Sequence, residues 1–285
     1  ILNHKKKNKS MICIYHSRDL DGWMSAAIVK YWYEKDVAER QEREADLNKG
    51  SYSAYPPITL IGWDYGMEIP NIPENDEIIM TDICFPMETM LLLSRKSGWN
   101  LHWIDHHISA IKDYEKFVGN GEAFMSTKLD TNFAACELTW QYLFPDKQMP
   151  ELVRLLGRYD CFGHKGTEEE LSVLRFQYGA RQRITDPNLA YVCLTSDKID
   201  QLTSDIYADG RAIYDYLCVD VMQKYQNRFD LGFDGYKFAC LNGERINPVN
   251  FGINYHEDGY DGFACFWYVK GKWSFSLYND NGKVD

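Results

Sequence analysis

The stretch Leu101–Ile108, Leu-His-Trp-Ile-Asp-His-His-Ile, constrains this chain more than any other. Its apolar head, Leu101–Ile104, is too short for a helix and reads as a buried strand. The strand then delivers an acid and two imidazoles, Asp105, His106 and His107, straight out of its end. In open α/β sheets ligands bind beyond the carboxyl ends of the strands. A strand that ends this way predicts both the sheet and the place for chemistry.

Three further segments supply partners. Met11–Gly22, Met-Ile-Cys-Ile-Tyr-His-Ser-Arg-Asp-Leu-Asp-Gly, is an apolar run ending in His16, Asp19 and Asp21 before a helical pattern. Glu77–Thr81 is a strand ending at Asp82, and the helical stretch from Leu152 ends at Asp160. Taken singly, each has a plain structural reading. Asp82 suits a cap or turn, Asp19-Leu-Asp21-Gly22 a turn, and Asp160 a solvated helix end. Their joint occurrence at element ends points to one site. Five carboxylates and three histidines at one place repel strongly without counter-charge. Divalent cations resolve that, and mixed carboxylate and imidazole ligation suits Mn²⁺, with Mg²⁺ or Co²⁺ as alternatives.

The order His16…Asp19-Leu-Asp21-Gly22, Asp82, Asp105-His106-His107, Asp160 resembles the four motifs of the DHH phosphoesterases, a RecJ-like superfamily. Tyr15–Trp23 is most similar to the NrnB-type oligoribonucleases. The likeness covers roughly residues 11–165. It implies two metal sites, one from His16, Asp19 and Asp82, the other from Asp21, Asp82, His106 and Asp160, bridged by Asp82. It also implies that Asp105 orients an imidazole and that His107 faces the phosphate as a contact or acid. The implied function is hydrolysis of short oligoribonucleotides to mononucleotides by water activated between two Mn²⁺. Cyclic nucleotides, nucleotide bisphosphates and inorganic pyro- or polyphosphate are the rival substrates, and a non-catalytic nucleotide-binding scaffold is the rival class. Two departures stand out. His16 lies three residues before Asp19, where many members have four, and the glycine-rich Gly-Gly-Gly-His segment of the family's C-terminal domain is absent.

Strand, helix, strand, helix at this spacing predicts an α/β fold with a mostly parallel sheet. Strands are expected at 11–15, 58–63, 77–81 and 101–104. Helices are expected at 22–45, 86–96, 131–144 (capped by Thr131 or Asn132), 150–159 and 168–183. A long helical pattern over 196–230 is expected to link a catalytic domain, 11–195, to a smaller α/β substrate-binding domain, 231–285, with short β segments at 237–241, 249–255, 262–269 and 273–278. Residues 1–10 read as a tag or leader before Met11, and the chain stops soon after the last strand, as either a naturally short or a truncated domain would.

The formal charge is −11, and the four lysines of residues 1–10 leave 27 basic against 42 acidic residues beyond them. So acidic a body is a poor generic binder of long nucleic acid, which needs a basic footprint. It favours a small phosphate substrate taken up with metal, such as a short RNA or small nucleotide. The eight cysteines form no Cys-x-x-Cys pair, which argues against zinc and for reduced thiols in a cytoplasmic protein. No run reaches the roughly 20 apolar residues of a membrane span, and a homodimer is compatible with all of this.

Arg18 and Arg158 each read two ways, as a bidentate phosphate contact or as a salt bridge to the many nearby acids. His102 is expected to face away from the site, His164 to be a loop residue and His256 to be exposed. Phe251, Tyr255, Trp267, Trp273 and Tyr278 can stack bases, although their alternating spacing suits core packing for most.

Overall fold

The structure, a computed structural model, describes residues 10–46, 55–74, 77–119, 121, 123–244 and 246–279. Nearly all of the expected leader and most of the loop expected at 48–57 lie outside the described residues. The chain divides into two compact units, up to Gly210 and from Arg211.

The first unit is built on a five-stranded parallel sheet. Its strands are β1 (Met11–His16), β2 (Thr59–Trp63), β3 (Glu77–Thr81), β4 (Leu101–Asp105) and β5 (Ser126–Leu129), in the order β2-β1-β3-β4-β5. Parallel strands require crossovers, and crossovers lay helices on both faces. The interior strands are therefore mostly apolar, with His102 a buried polar residue inside β4. Every residue of β3 and β4 is buried. On one face Cys13, Tyr15, Ile79 and Ile104 pack with α1 (Leu20–Asp46), α4 (Ala135–Leu143) and α5 (Glu151–Asp160). On the other face Ile14, Ile78, Met80 and Trp103 pack with α2 (Met87–Lys96) and α3 (Ile108–Val118). Full burial of one such side chain contributes about 1.5–3 kcal/mol.

Helices α6 (Glu170–Arg183) and α7 (Pro187–Leu194) also belong to the unit. The sequence reading did not anticipate α3, β5 or α7. For α7 a local signal exists: Asp186 accepts the amide N–H groups of Asn188 and Leu189, and Pro187 opens the helix. The helix expected from Thr131 starts later, at Ala135. Asp130 instead accepts the backbone and side-chain N–H of Asn132 in a turn of its own, so neither Thr131 nor Asn132 is the cap. The Ala134 N–H donates to Glu137 Oε2 at 3.1 Å.

The expected linking helix is α8 (Ile199–Gln226), and the division between the units falls inside it. Beyond it, β6 (Phe229–Phe233), β7 (Tyr236–Asn242), β8 (Gly262–Val269) and β9 (Lys272–Tyr278) form a mixed sheet in the order β6-β7-β8-β9. Its two hairpins turn on Asp234-Gly235 and Lys270-Gly271, each with both residues at positive φ, the requirement of a two-residue turn. The β segment expected at 249–255 is not a strand. Pro248 starts a 3-10 turn over Pro248–Phe251, the Asn247 side chain accepts the Val249 N–H, and left-handed Gly252 ends it. Val221 and Tyr225 of α8 pack with Tyr255, Phe263 and Cys265 beneath this sheet. His256 is half-buried rather than exposed, because it donates from Nδ1 to the Tyr260 carbonyl at 3.0 Å. Among the described residues no helix is long and apolar enough to cross a membrane.

Candidate metal centre

β1 and β3 are neighbours, while β2 lies beyond β1 and β4 beyond β3. The winding reverses between them, so a crevice opens past their carboxyl ends. His16 closes β1, Asp82 follows β3 and Asp105 closes β4. Asp19 and Asp21 stand at the start of α1, and Asp160 ends α5.

The entry to α1 depends on Gly22. A Cβ there would lie 2.0 Å from the His16 carbonyl oxygen, so only glycine lets the helix begin this close to the strand end. Asp19 caps the helix by accepting the Gly22 N–H at 3.0 Å. Asp21 is 2% exposed and accepts the Ala135 and Cys136 N–H groups at 2.9 and 2.7 Å. It therefore sits on the amino terminus of α4, where a negative charge is favoured.

Two clusters result. His16 Nδ1 lies 2.8 Å from Asp19 Oδ2 and 3.5 Å from Asp82 Oδ2. His106 Nε2 lies 3.6 Å from Asp21 Oδ2, 3.4 Å from Asp82 Oδ1 and 3.2 Å from Asp160 Oδ2. Asp82 thus turns one carboxylate oxygen to each cluster. It is 1% exposed and holds a left-handed φ of 63°, a backbone cost of about 1–3 kcal/mol. Its N–H is fixed to the Ile104 carbonyl at 3.0 Å.

Asp105 is fully buried and has both oxygens in use. Oδ1 accepts the N–H groups of His106 and His107 and the His107 Nδ1–H, the last at 2.7 Å. Oδ2 accepts Trp103 Nε1–H at 3.1 Å. It orients His107, whose side chain is 40% exposed and whose Nδ1 is 3.9 Å from Asp82 Oδ1.

Asp64, at the end of β2, was not among the residues singled out from the sequence. Its Oδ1 lies 3.4 Å from His16 Nε2, and its Oδ2 accepts Arg18 Nε–H at 2.6 Å. A carboxylate behind one ring nitrogen fixes which nitrogen faces forward. The available signal was its position at a fourth strand end. Arg18 is thereby in an ion pair, as is Arg158, which donates from Nε to Glu169 Oε1 at 2.6 Å and also to the Gly163 carbonyl. His164 is buried, hydrogen-bonds the Arg158 carbonyl through Nδ1 and stacks on Tyr159. His102 is bonded to the Tyr142 hydroxyl, away from the centre.

Burial by itself would lower the His16 imidazole, but Asp19 and Asp82 outweigh it and carry the group up to about 11. Burial likewise opposes His106, and Asp160 with Asp82 carries it to about 11. Burial raises the Asp21 carboxyl well above the ordinary range, and the Asp82 and Asp160 charges add to this. Burial also raises Asp82, against the pull of His106 and His16. Four carboxylates share two imidazoles, so the centre remains short of positive charge.

Divalent cations fit that shortage. His16 Nδ1, Asp82 Oδ2 and His106 Nε2 are buried and make no aligned hydrogen bond, although carboxylate oxygens lie within ion-pair reach of each nitrogen. Donor spacings of 2.8–3.6 Å are close to the roughly 3 Å between adjacent ligands of an ion bound at about 2.1 Å. His16, Asp19 and Asp82 form one candidate ligand group, and Asp21, His106 and Asp160 another; Asp82, His106 and His107 form a third. Neither a scan against protein-family models nor a search of curated proteins gives a match to this chain.

Proposed function

We propose that this chain is a two-metal phosphodiesterase of the DHH type that hydrolyses short oligoribonucleotides to 5′-mononucleotides, with Mn²⁺ as its preferred ion. The observation that carries the reading is Asp82, whose two oxygens face two separate clusters of ligand-type atoms. In this reading His16, Asp19 and Asp82 hold one ion, and Asp21, Asp82, His106 and Asp160 hold the other. Bound ions supply a hydroxide near neutral pH and neutralise phosphate oxygens. The chain's own residues do the rest. Asp64 orients His16, and the amide groups of α4 hold Asp21.

Asp105 holds His107 through Nδ1, and this hydrogen bond raises the imidazole above its ordinary value against the effect of burial. A protonated His107 has Nε2–H left to offer. When the P–O3′ bond breaks, the leaving oxygen takes that proton and departs as a 3′-hydroxyl, while the attacking oxygen stays on the 5′-phosphate.

The test is a time course on a 5′-labelled RNA trinucleotide, in Mn²⁺ and in chelator, with metal content measured on the same sample. Labelled mononucleotide or dinucleotide appearing in Mn²⁺ alone is the expected result, and the first fragment gives the direction. Two bound ions without RNA cleavage move the assignment to cyclic or inorganic substrates. No bound ion in excess Mn²⁺ overturns the two-metal reading and leaves a scaffold.

A further inference from the structure

Beside the metal centre, on the α2–α3 side of the sheet, lies a cavity of ≈ 610 Å³ that the catalytic reading leaves unused. Its floor is Trp63, Phe85 and Met87, all buried. Its mouth is formed by Tyr65, Met67 and Ile69, which are 56%, 51% and 39% exposed. Trp63 meets both other rings edge-on, with centroids 5.5 Å from Tyr65 and 4.8 Å from Phe85. One turn joins this wall to the centre. Asp64 points at His16 while its own carbonyl accepts the Met67 N–H at 3.0 Å, and its Oδ1 accepts the Tyr65 N–H at 2.9 Å. Trp63 Nε1–H donates to the Glu68 carbonyl at 3.2 Å and pins the same turn from below. On the opposite side the cavity is closed by the first turn of α3, immediately after His107.

The lining chemistry selects the occupant. Among the described residues no lysine or arginine lines the cavity, and Asp113 does, so a phosphate is repelled. A flat, uncharged ring fits an aromatic wall flanked by thioether and aliphatic side chains. A ligand with phosphate at the metals must place its neutral part within one nucleoside length, and this cavity adjoins both Asp64 and His107 in the chain.

We propose that the cavity is a nucleobase subsite, in which Tyr65 and Met67 hold the base of the nucleotide whose phosphate lies at the metal centre. The proposal rests on the two-metal reading above. It makes the substrate a nucleotide rather than an inorganic polyphosphate. Base recognition by stacking is tolerant of sequence, because every base has a π-face.

The experiment measures Mn²⁺ content and then titrates the Mn²⁺-loaded full chain calorimetrically with AMP and with ribose 5-phosphate. The proposal expects AMP to bind roughly five- to a hundredfold more tightly, the range for stacking one base. Tyr65→Ala and Met67→Ala should each shrink that ratio while leaving ribose 5-phosphate affinity unchanged. Equal affinity for the two ligands in protein that holds two Mn²⁺ overturns the subsite and leaves the metal centre standing. A Tyr65→Ala variant that weakens both ligands equally also overturns it, since that marks a general disturbance of the centre. Failure to bind Mn²⁺ removes the two-metal reading and the subsite with it.

Discussion

Every residue of β3 and β4 is buried in the parallel sheet, whereas β9 of the mixed sheet alternates the unexpected way round. There Trp273, Phe275 and Leu277 are 58%, 65% and 70% exposed, while Ser274 and Ser276 between them are half-buried. The strand registers set Phe229 of β6 on the same outward face through Cys240, Ala264 and Leu277. The cause is connectivity. Parallel strands are joined by crossovers, which cover both faces with helices. The mixed sheet has two tight hairpins and a single crossover, and its packed face is the one that meets α8 and the 3-10 turn. Apolar alternation marks a strand with two unlike faces; it does not say which face is covered. In the first unit helices cover both faces, so the strand ends are where the acids and imidazoles of the candidate centre gather.

The comparison breaks first at the strand ends. Asp82→Asn should cut phosphodiester hydrolysis by at least about a hundredfold, the scale for losing one preorganised contact. In chelator the variant should melt no lower than the native protein, since burial already disfavours this charge. Mn²⁺ should then raise the melting temperature of the native protein and not of the variant. A variant with full activity refutes the bridging role of Asp82.

Within the sheets, Trp103→Ala in β4 and Phe263→Ala on the packed face of β8 should each destabilise their own unit by about 3–5 kcal/mol, measured by denaturant unfolding. A small loss at Phe263 would erase the distinction between the two faces of the mixed sheet.

Surface charge should matter far less. Arg154 and Arg158 hold the Glu169 carboxyl below its ordinary value, with Arg154 the larger cause. A lowered folded-state pKa adds stability above the unfolded value, and that stability is lost as pH falls through the folded value. Glu169→Gln should therefore cost under about 1 kcal/mol at pH 7, because water screens this ion pair. The gap from the native protein should narrow as pH falls from the ordinary glutamate range through the lower folded value, as unfolding curves at neutral and at acidic pH would reveal.

The smallest effect is expected at Phe275→Ser on the outward face, within about 0.5 kcal/mol of the native protein. A loss of several kcal/mol would mean that this face is packed in solution.

Much of the first unit was legible because its signals are local. Short apolar runs bounded by turns gave β1 to β4, and residues at their ends gave His16, Asp82, Asp105, His106 and His107. Asp160 came from a helix end. Elements with weak local patterns escaped: β5, Ser-Thr-Lys-Leu, has no apolar run. Asp64 also stands at a strand end, but nothing near it in sequence shows that it faces His16. Trp273 has the alternating spacing that suits core packing, yet the structure exposes it.

By itself the sequence determined the parallel α/β character and the strand ends that carry acids and imidazoles. These follow from periodicity and residue chemistry, which act over a few neighbours. Only the tertiary structure decided which donors meet. Asp82 divides its oxygens between His16 and His106, and Asp64 stands behind His16, because the sheet order sets β3 between β1 and β4 and β2 beside β1. Asp21 receives the first amides of α4 from 114 residues away, replacing the cap expected at Thr131 or Asn132. Hydrogen bonds and charge pairing act through space, and a chain folded on one sheet sets those distances without regard to separation in sequence.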